Sequence, residues 1–139
     1  MKKIGFLNIC ILFSLSLAVI SCNKEKINTE IQGSWKREVL NPASPYEAAI
    51  WHFDNGTLII DNLNDDIYDD TAKFLVVEVK MKTHVRITGL KEHVGAATTN
   101  GDWQVLQYKK DILSLTKPEE SLTTGQQIGT MLREFTRVQ

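Results

Sequence analysis

Two hydropathy patterns divide this chain. From Ile4 to Ile20 apolar residues run almost unbroken, relieved only by Asn8, Ser14 and Ser16, and charge returns at Lys24-Glu25-Lys26. From Ile31 the period changes to two: Ile31, Trp35 and Val39 share one parity, while Gln32, Ser34, Lys36 and Glu38 share the other. Alternation of this kind belongs to a half-buried strand. Asn41-Pro42-Ala43-Ser44-Pro45 breaks it, and Ser44-Pro45-Tyr46-Glu47, with an N-cap serine, a proline at the first helical position and glutamate three after the cap, predicts a short helical turn. Ala49 to Phe53 and Thr57 to Asp61 flank Asp54-Asn55-Gly56, a hairpin signal because Asn and Gly tolerate positive φ.

The acidic, unpatterned Asp61 to Asp70 predicts a loop. Lys73 to Met81 reads as a long strand with Leu75, Val77, Val79 and Met81 on one face, turning at Lys82-Thr83 into His84 to Gly89. Gly95 to Asn100 is a loop, Gly101 to Tyr108 a strand, Lys109-Lys110-Asp111 a tight turn and Ile112 to Thr116 its partner. Lys117 to Gly129 is expected as a long polar loop, with Thr130 to Val138 the final strand. Eight short strands joined mostly by hairpins predict an all-β fold, an eight-stranded antiparallel up-and-down barrel that removes both sheet edges; a β-sandwich of the same strands is the alternative.

The first pattern reads as a targeting segment. Lys2 and Lys3, the apolar run and the return of charge make the three-part grammar of a signal peptide. Leu17-Ala18-Val19-Ile20-Ser21-Cys22 resembles the bacterial lipobox, in which a small residue precedes a cysteine whose thiol takes a diacylglycerol. An uncleaved membrane helix competes with this reading, but such a helix needs about twenty apolar residues. The resemblance implies a lipoprotein signal over 1–21, a flexible tether over 22–30 from acylated Cys22, and a globular domain over 31–139. It also implies anchoring to a bacterial envelope membrane, the outer one favoured over the inner. Removing Lys2 and Lys3 leaves fourteen basic residues against seventeen acidic, a formal charge near minus three. That balance offers no field for nucleic acid. Cys10 lies in the signal, so the domain is left with no thiol for a disulfide or metal.

Gly33-Ser34-Trp35 is similar to the Gly-x-Trp signature of lipocalins. With Trp51-His52-Phe53, Gly56-Thr57-Leu58, Gly101-Asp102-Trp103, Leu113-Ser114-Leu115 and Phe135-Thr136-Arg137, it makes residues 31–138 look like the small lipocalin-like lipoproteins of bacteria. The chain is short for that family and lacks its Thr-Asp-Tyr motif. The resemblance implies that Trp35 packs at the closed end of the barrel and that Arg137 lies across its ring.

Parity adds a site. Pairing Trp35 with Arg137 sets Arg37 opposite Phe135 and Arg133 near Val39, so two guanidiniums could point into the barrel and clamp a carboxylate or phosphate. The plainer reading lets both reach water at the rim, since an inward charge is costly. Trp51, Phe53 and Trp103 could line a ligand pocket or simply fill the core. Asp61, Asp65, Asp66, Asp69 and Asp70 lack the spacing of a calcium loop. His52, His84 and His93 lack metal spacing, and no linear catalytic motif is present. No cofactor, no metal, no enzymatic activity and a monomer are expected. Lys36, Glu38, Glu78, Lys80, Arg86 and Gln104, read as outward, argue against a transmembrane barrel. Two functions remain: binding of a small apolar or amphipathic ligand inside the barrel, or a protein-interaction module whose barrel is filled by its own side chains.

Overall fold

In the computed structural model, residues 24–38, 48–63, 69–91, 99–120 and 125–139 are described, without the side chains of Glu119, Glu120 and Ile128. Cys22, the residue read as lipidated, and the segments 44–47 and 95–98 lie outside them, as do His93, Asp65 and Asp66.

Eight strands run in order: β1 (Gly33–Glu38), β2 (Ala49–Asp54), β3 (Thr57–Asn62), β4 (Asp70–Val79), β5 (Lys82–Thr88), β6 (Gly101–Lys109), β7 (Ile112–Glu120) and β8 (Gln127–Arg137). Each pairs antiparallel with its neighbour and β8 returns to β1, closing an up-and-down barrel, so no sheet edge is left open. The closing register sets Trp35 against Arg137 and Arg37 against Phe135, consistent with the parity of the two strands.

The β2–β3 hairpin turns at Asn55 and Gly56, with φ of 44° and 86°. Elsewhere the boundaries move. Strands β4 and β5 turn at Lys80 and Met81, not at Lys82-Thr83. Leu75 and Met81 are 57 % and 86 % exposed, because Ala72, Phe74 and Val76 occupy the inward parity in their place. That parity also turns Glu78 inward at the barrel end, where it accepts a bond from the Thr83 hydroxyl at 2.6 Å, against its expected outward placement. The polar stretch expected as a long loop after Thr116 instead extends β7 to Glu120 and begins β8 at Gln127, since the ladder continues through Lys117↔Met131 and Pro118↔Thr130.

The segment from Lys24 is not an unpacked tether. Residues 24–30 are helical, and Ile27 and Ile31 join the core. Two apolar side chains four apart lie on one helix face, which is enough to seat a short polar helix on a barrel end.

The connections separate the two ends of the barrel. The short turns β2–β3, β4–β5 and β6–β7 share one end with the helix, here called the closed end; the four longer connections share the other, the open end. Inside, Trp35, Trp51, Phe53, Trp103 and Phe135 are at most 1 % exposed.

Candidate functional site

The closed end is tied by Arg137. Its guanidinium carbon lies 4.2 Å from the centroid of the Trp35 ring, and its nitrogens donate to the backbone carbonyls of Glu30 (2.6 Å), Gln32 (2.9 Å) and Lys110 (2.9 Å). A cation over indole and three carbonyls together satisfy a group that would be costly to bury alone. Gly33 makes room for it: φ is +108°, and a Cβ there would meet Nη1 of Arg137 at 3.0 Å. Trp35 itself donates from Nε1 to the Ile31 carbonyl at 2.7 Å. These contacts give Gly33, Trp35 and Arg137 their structural roles.

A bulge completes this end. Leu106 is the extra residue between Val105 and Gln107, so it projects outward at 54 % exposure and the alternation beyond it reverses. Tyr108 thereby turns inward, packs edge-on to Trp35 at 6.2 Å and donates to the Glu30 carbonyl at 3.0 Å. Burial pushes its phenol above the ordinary tyrosine range. Strict alternation from Trp103 would have pointed Tyr108 outward, and no residue in the stretch announces the bulge.

Higher in the bore, Arg133 does not reach water at the rim. It is 7 % exposed, with its guanidinium carbon 5.3 Å from the Trp51 ring centroid and 4.6 Å from that of Trp103. Nη2 donates to the Thr99 hydroxyl at 2.8 Å. Trp51 stands on β2 and Trp103 on β6, four strands apart in a ring of eight, so this sandwich spans the bore from wall to wall. Two indole faces repay part of the cost of taking a cation out of water. Trp51 also packs on Phe135 with centroids 4.9 Å apart, and Phe53 meets Phe74 edge-on at 4.9 Å. Trp51, Phe53 and Trp103 are therefore members of the buried core cluster.

Toward the open end the inward parity becomes polar. Arg37 is half-buried there. Lys117, expected in a loop but placed on β7, lies inward with Nζ 5.2 Å from the Trp103 centroid and 2.6 Å from the Asn100 carbonyl. Asp70 is buried and accepts from the backbone amides of Thr71 (2.8 Å) and Lys91 (2.7 Å), an anchoring role for the connections. Asp69 accepts from the Asn62 amide, and Asp61 lies on the outer wall.

That wall carries a line of Ser34, His52 and Asp61. The Ser34 hydroxyl and His52 Nδ1 are 2.8 Å apart, and His52 Nε2 is 3.9 Å from Asp61, beyond hydrogen-bond reach. The three lie within β1, β2 and β3, where the ladder consumes the backbone amides that an oxyanion hole would need. They form a cross-strand surface row. His84 is also outward and bonds the Lys82 carbonyl. Among the described residues no group of three His, Cys, Asp or Glu side chains could hold a metal ion, and no helix is long and apolar enough to cross a membrane.

Among the described residues, two cavities lie along the helix at the closed end. One, of about 380 Å³, runs past Lys26, Ile27, Met81, Lys82 and Leu106. The other, of about 560 Å³, is bordered by Lys26, Tyr108, Lys109, Lys110 and Arg137.

Compared with protein families, curated proteins and solved structures, the chain finds no match.

Proposed function

We propose that this chain is a lipid-anchored protein of the bacterial cell envelope, lipocalin-like in plan, whose barrel is a filled scaffold acting as a protein-interaction module. The observation that carries the filled scaffold is the Trp51–Arg133–Trp103 sandwich, which occupies the bore where a ligand of drug size would need some 300 Å³ or more. The anchor rests on the lipobox-like Leu17 to Cys22, and two acyl chains there would give stable membrane attachment. Charged side chains on the outer wall, among them Lys36, Glu38, Lys73 and the Arg86–Asp102 pair, support a wall that faces water.

Native mass spectrometry of residues 24–139 tests the scaffold. The bare protein mass is the expected result, and a co-purified lipid or fatty acid overturns the filled bore. Intact mass of the membrane-extracted full chain tests the anchor: a diacylated Cys22 with residues 1–21 removed is expected, and an unmodified sulfur ends that part of the reading.

A second reading has one observation in its favour. Arg37, Lys117 and Arg133 are all inward near the open end, a grouping suited to the carboxylate or phosphate of an amphipathic ligand. Calorimetric titration with a fatty acid, expected to weaken in Arg37→Ala with Arg133→Ala, separates this from the scaffold. Binding unchanged by both substitutions removes the clamp.

A further inference from the structure

The closed end carries a charge that the domain as a whole does not. Six exposed lysines gather there: Lys24 and Lys26 on the helix, Lys80 and Lys82 at the β4–β5 turn, and Lys109 and Lys110 at the β6–β7 turn. Three exposed carboxylates, Glu25, Asp54 and Asp111, stand among them, and Glu30 and Glu78 are half-buried at the same end. A domain of negative formal charge thus has one net basic end. Between Lys80 and Lys82, Met81 is 86 % exposed, and the bulged Leu106 is 54 % exposed. Both border the groove that Lys26 and Lys82 also line, so apolar and cationic groups share one continuous surface.

The turn that presents Met81 is built against local preference. Lys80 and Met81 have φ of 50° and 63°, a conformation that Asn-Gly adopts easily and that β-carbon-bearing residues adopt at a cost. Asn55-Gly56 makes the neighbouring turn in the permissive way. Backbone strain that places an apolar tip between two cations points from geometry to use.

We propose that the closed end docks on the surface of an anionic phospholipid bilayer, Met81 and Leu106 entering the headgroup region while the lysines face phosphates. Each lysine near such a surface adds attraction that decays within a Debye length, and a small apolar insertion holds the contact close. The first described residue, Lys24, stands two positions past Cys22, so an acyl anchor would enter the membrane at this same end. Docking does not require that anchor. The open end of the barrel then faces away from the bilayer.

Residues 24–139 contain every strand, the core cluster and the helix, and so form a complete folding unit. This unlipidated segment is sedimented with vesicles of phosphatidylcholine alone and of phosphatidylcholine mixed with phosphatidylglycerol. Partition onto the anionic vesicles is expected, falling as salt rises. Lys109→Gln with Lys110→Gln is expected to lower it on the order of tenfold or more, and Met81→Asp to lower it also. Arg86→Gln with Lys91→Gln, the same charge change toward the open end, should leave it unaltered. Near-ultraviolet circular dichroism from the buried tryptophans checks that each variant folds. No preference for anionic vesicles, or an equal loss in the Arg86 and Lys91 pair, overturns the docking face. Because the segment lacks Cys22, the result is independent of whether that thiol is acylated.

Discussion

Two strands of this barrel open with the same five-residue device, at opposite ends. Entering β1 from the closed end, Ile31-Gln32-Gly33-Ser34-Trp35 places a glycine at φ +108° two residues before a buried tryptophan whose Nε1 donates back to the Ile31 carbonyl. Entering β6 from the open end, Thr99-Asn100-Gly101-Asp102-Trp103 repeats it, with Gly101 at φ +119° and Trp103 donating to the Thr99 carbonyl at 2.7 Å. In both, a cation reaches over the glycine to the carbonyl of the residue before it and lies on the indole: Arg137 on Gln32 and Trp35, Lys117 on Asn100 and Trp103. Even the middle residues correspond, Ser34 meeting His52 and Asp102 meeting Arg86 across the outer wall.

The difference lies in what holds each cation. Arg137 spends its fork on three carbonyls and the tie is complete within the closed end. At the other end Trp103 accepts two cations, Lys117 and Arg133, and the second reaches on to Trp51 across the bore. One local device seals the base, and its twin builds the polar layer beneath the longer connections.

The largest effect tests the shared part. Trp35→Ala and Trp103→Ala should each cost roughly 3–5 kcal/mol in urea unfolding of residues 24–139, as expected for deleting a fully buried indole. A Trp103 variant near wild type would break the parallel. Next come the arginines: Arg137→Met should cost about 2–3 kcal/mol, because three carbonyls lose a charged donor. Arg133→Met should cost about 1 kcal/mol, since the indoles that hold the guanidinium also accept a thioether. Equal losses would mean that both cations are structural ties of one kind.

The glycines sharpen the contrast further. Gly33→Ala should cost about 2 kcal/mol, its Cβ meeting Arg137 Nη1 at 3.0 Å. Gly101→Ala should cost nearer 1 kcal/mol, because the Lys117 tip at 3.4 Å can swing aside. The smallest effect concerns Asp102. Its hydrogen bonds from Arg86, at 2.6 and 2.8 Å, hold its carboxyl below the usual carboxylate range against a smaller opposing effect of burial. A depressed folded value makes the pair's contribution fully present above about pH 4 and lost as pH falls through the folded value. Asp102→Asn should flatten that slope in acid unfolding while leaving neutral stability almost unchanged.

Much of the fold was legible because alternation along β1 and β8 is strict. Trp35, Arg37, Phe135 and Arg137 share parities that put all four on the inner face, and of the registers this allows, the one that sets Trp35 beside Arg137, implied by the lipocalin resemblance, is the one in which the barrel closes. Strand β4 reads ambiguously because its apolar residues occupy both parities, so that Leu75, Val77, Val79 and Met81 outnumber Ala72, Phe74 and Val76. Only the volume of Phe74 against Phe53 decides which side fits the bore. The helix over 24–30 was hidden for a related reason: two isoleucines among polar residues carry no amphipathic signal until a barrel end is there to receive them.

By itself, then, the order of residues determined the class of fold and which side chains of β1 and β8 share the inner face, because each follows from period-two patterning; the register that sets Arg137 against Trp35 is one of several that parity allows. Tertiary structure alone decided that Arg133 lies between indoles from opposite walls, that Leu106 bulges to turn Tyr108 inward, and that six scattered lysines share one end. Those facts depend on distances across the barrel, and a linear pattern records which face a side chain takes but not what stands on the far wall.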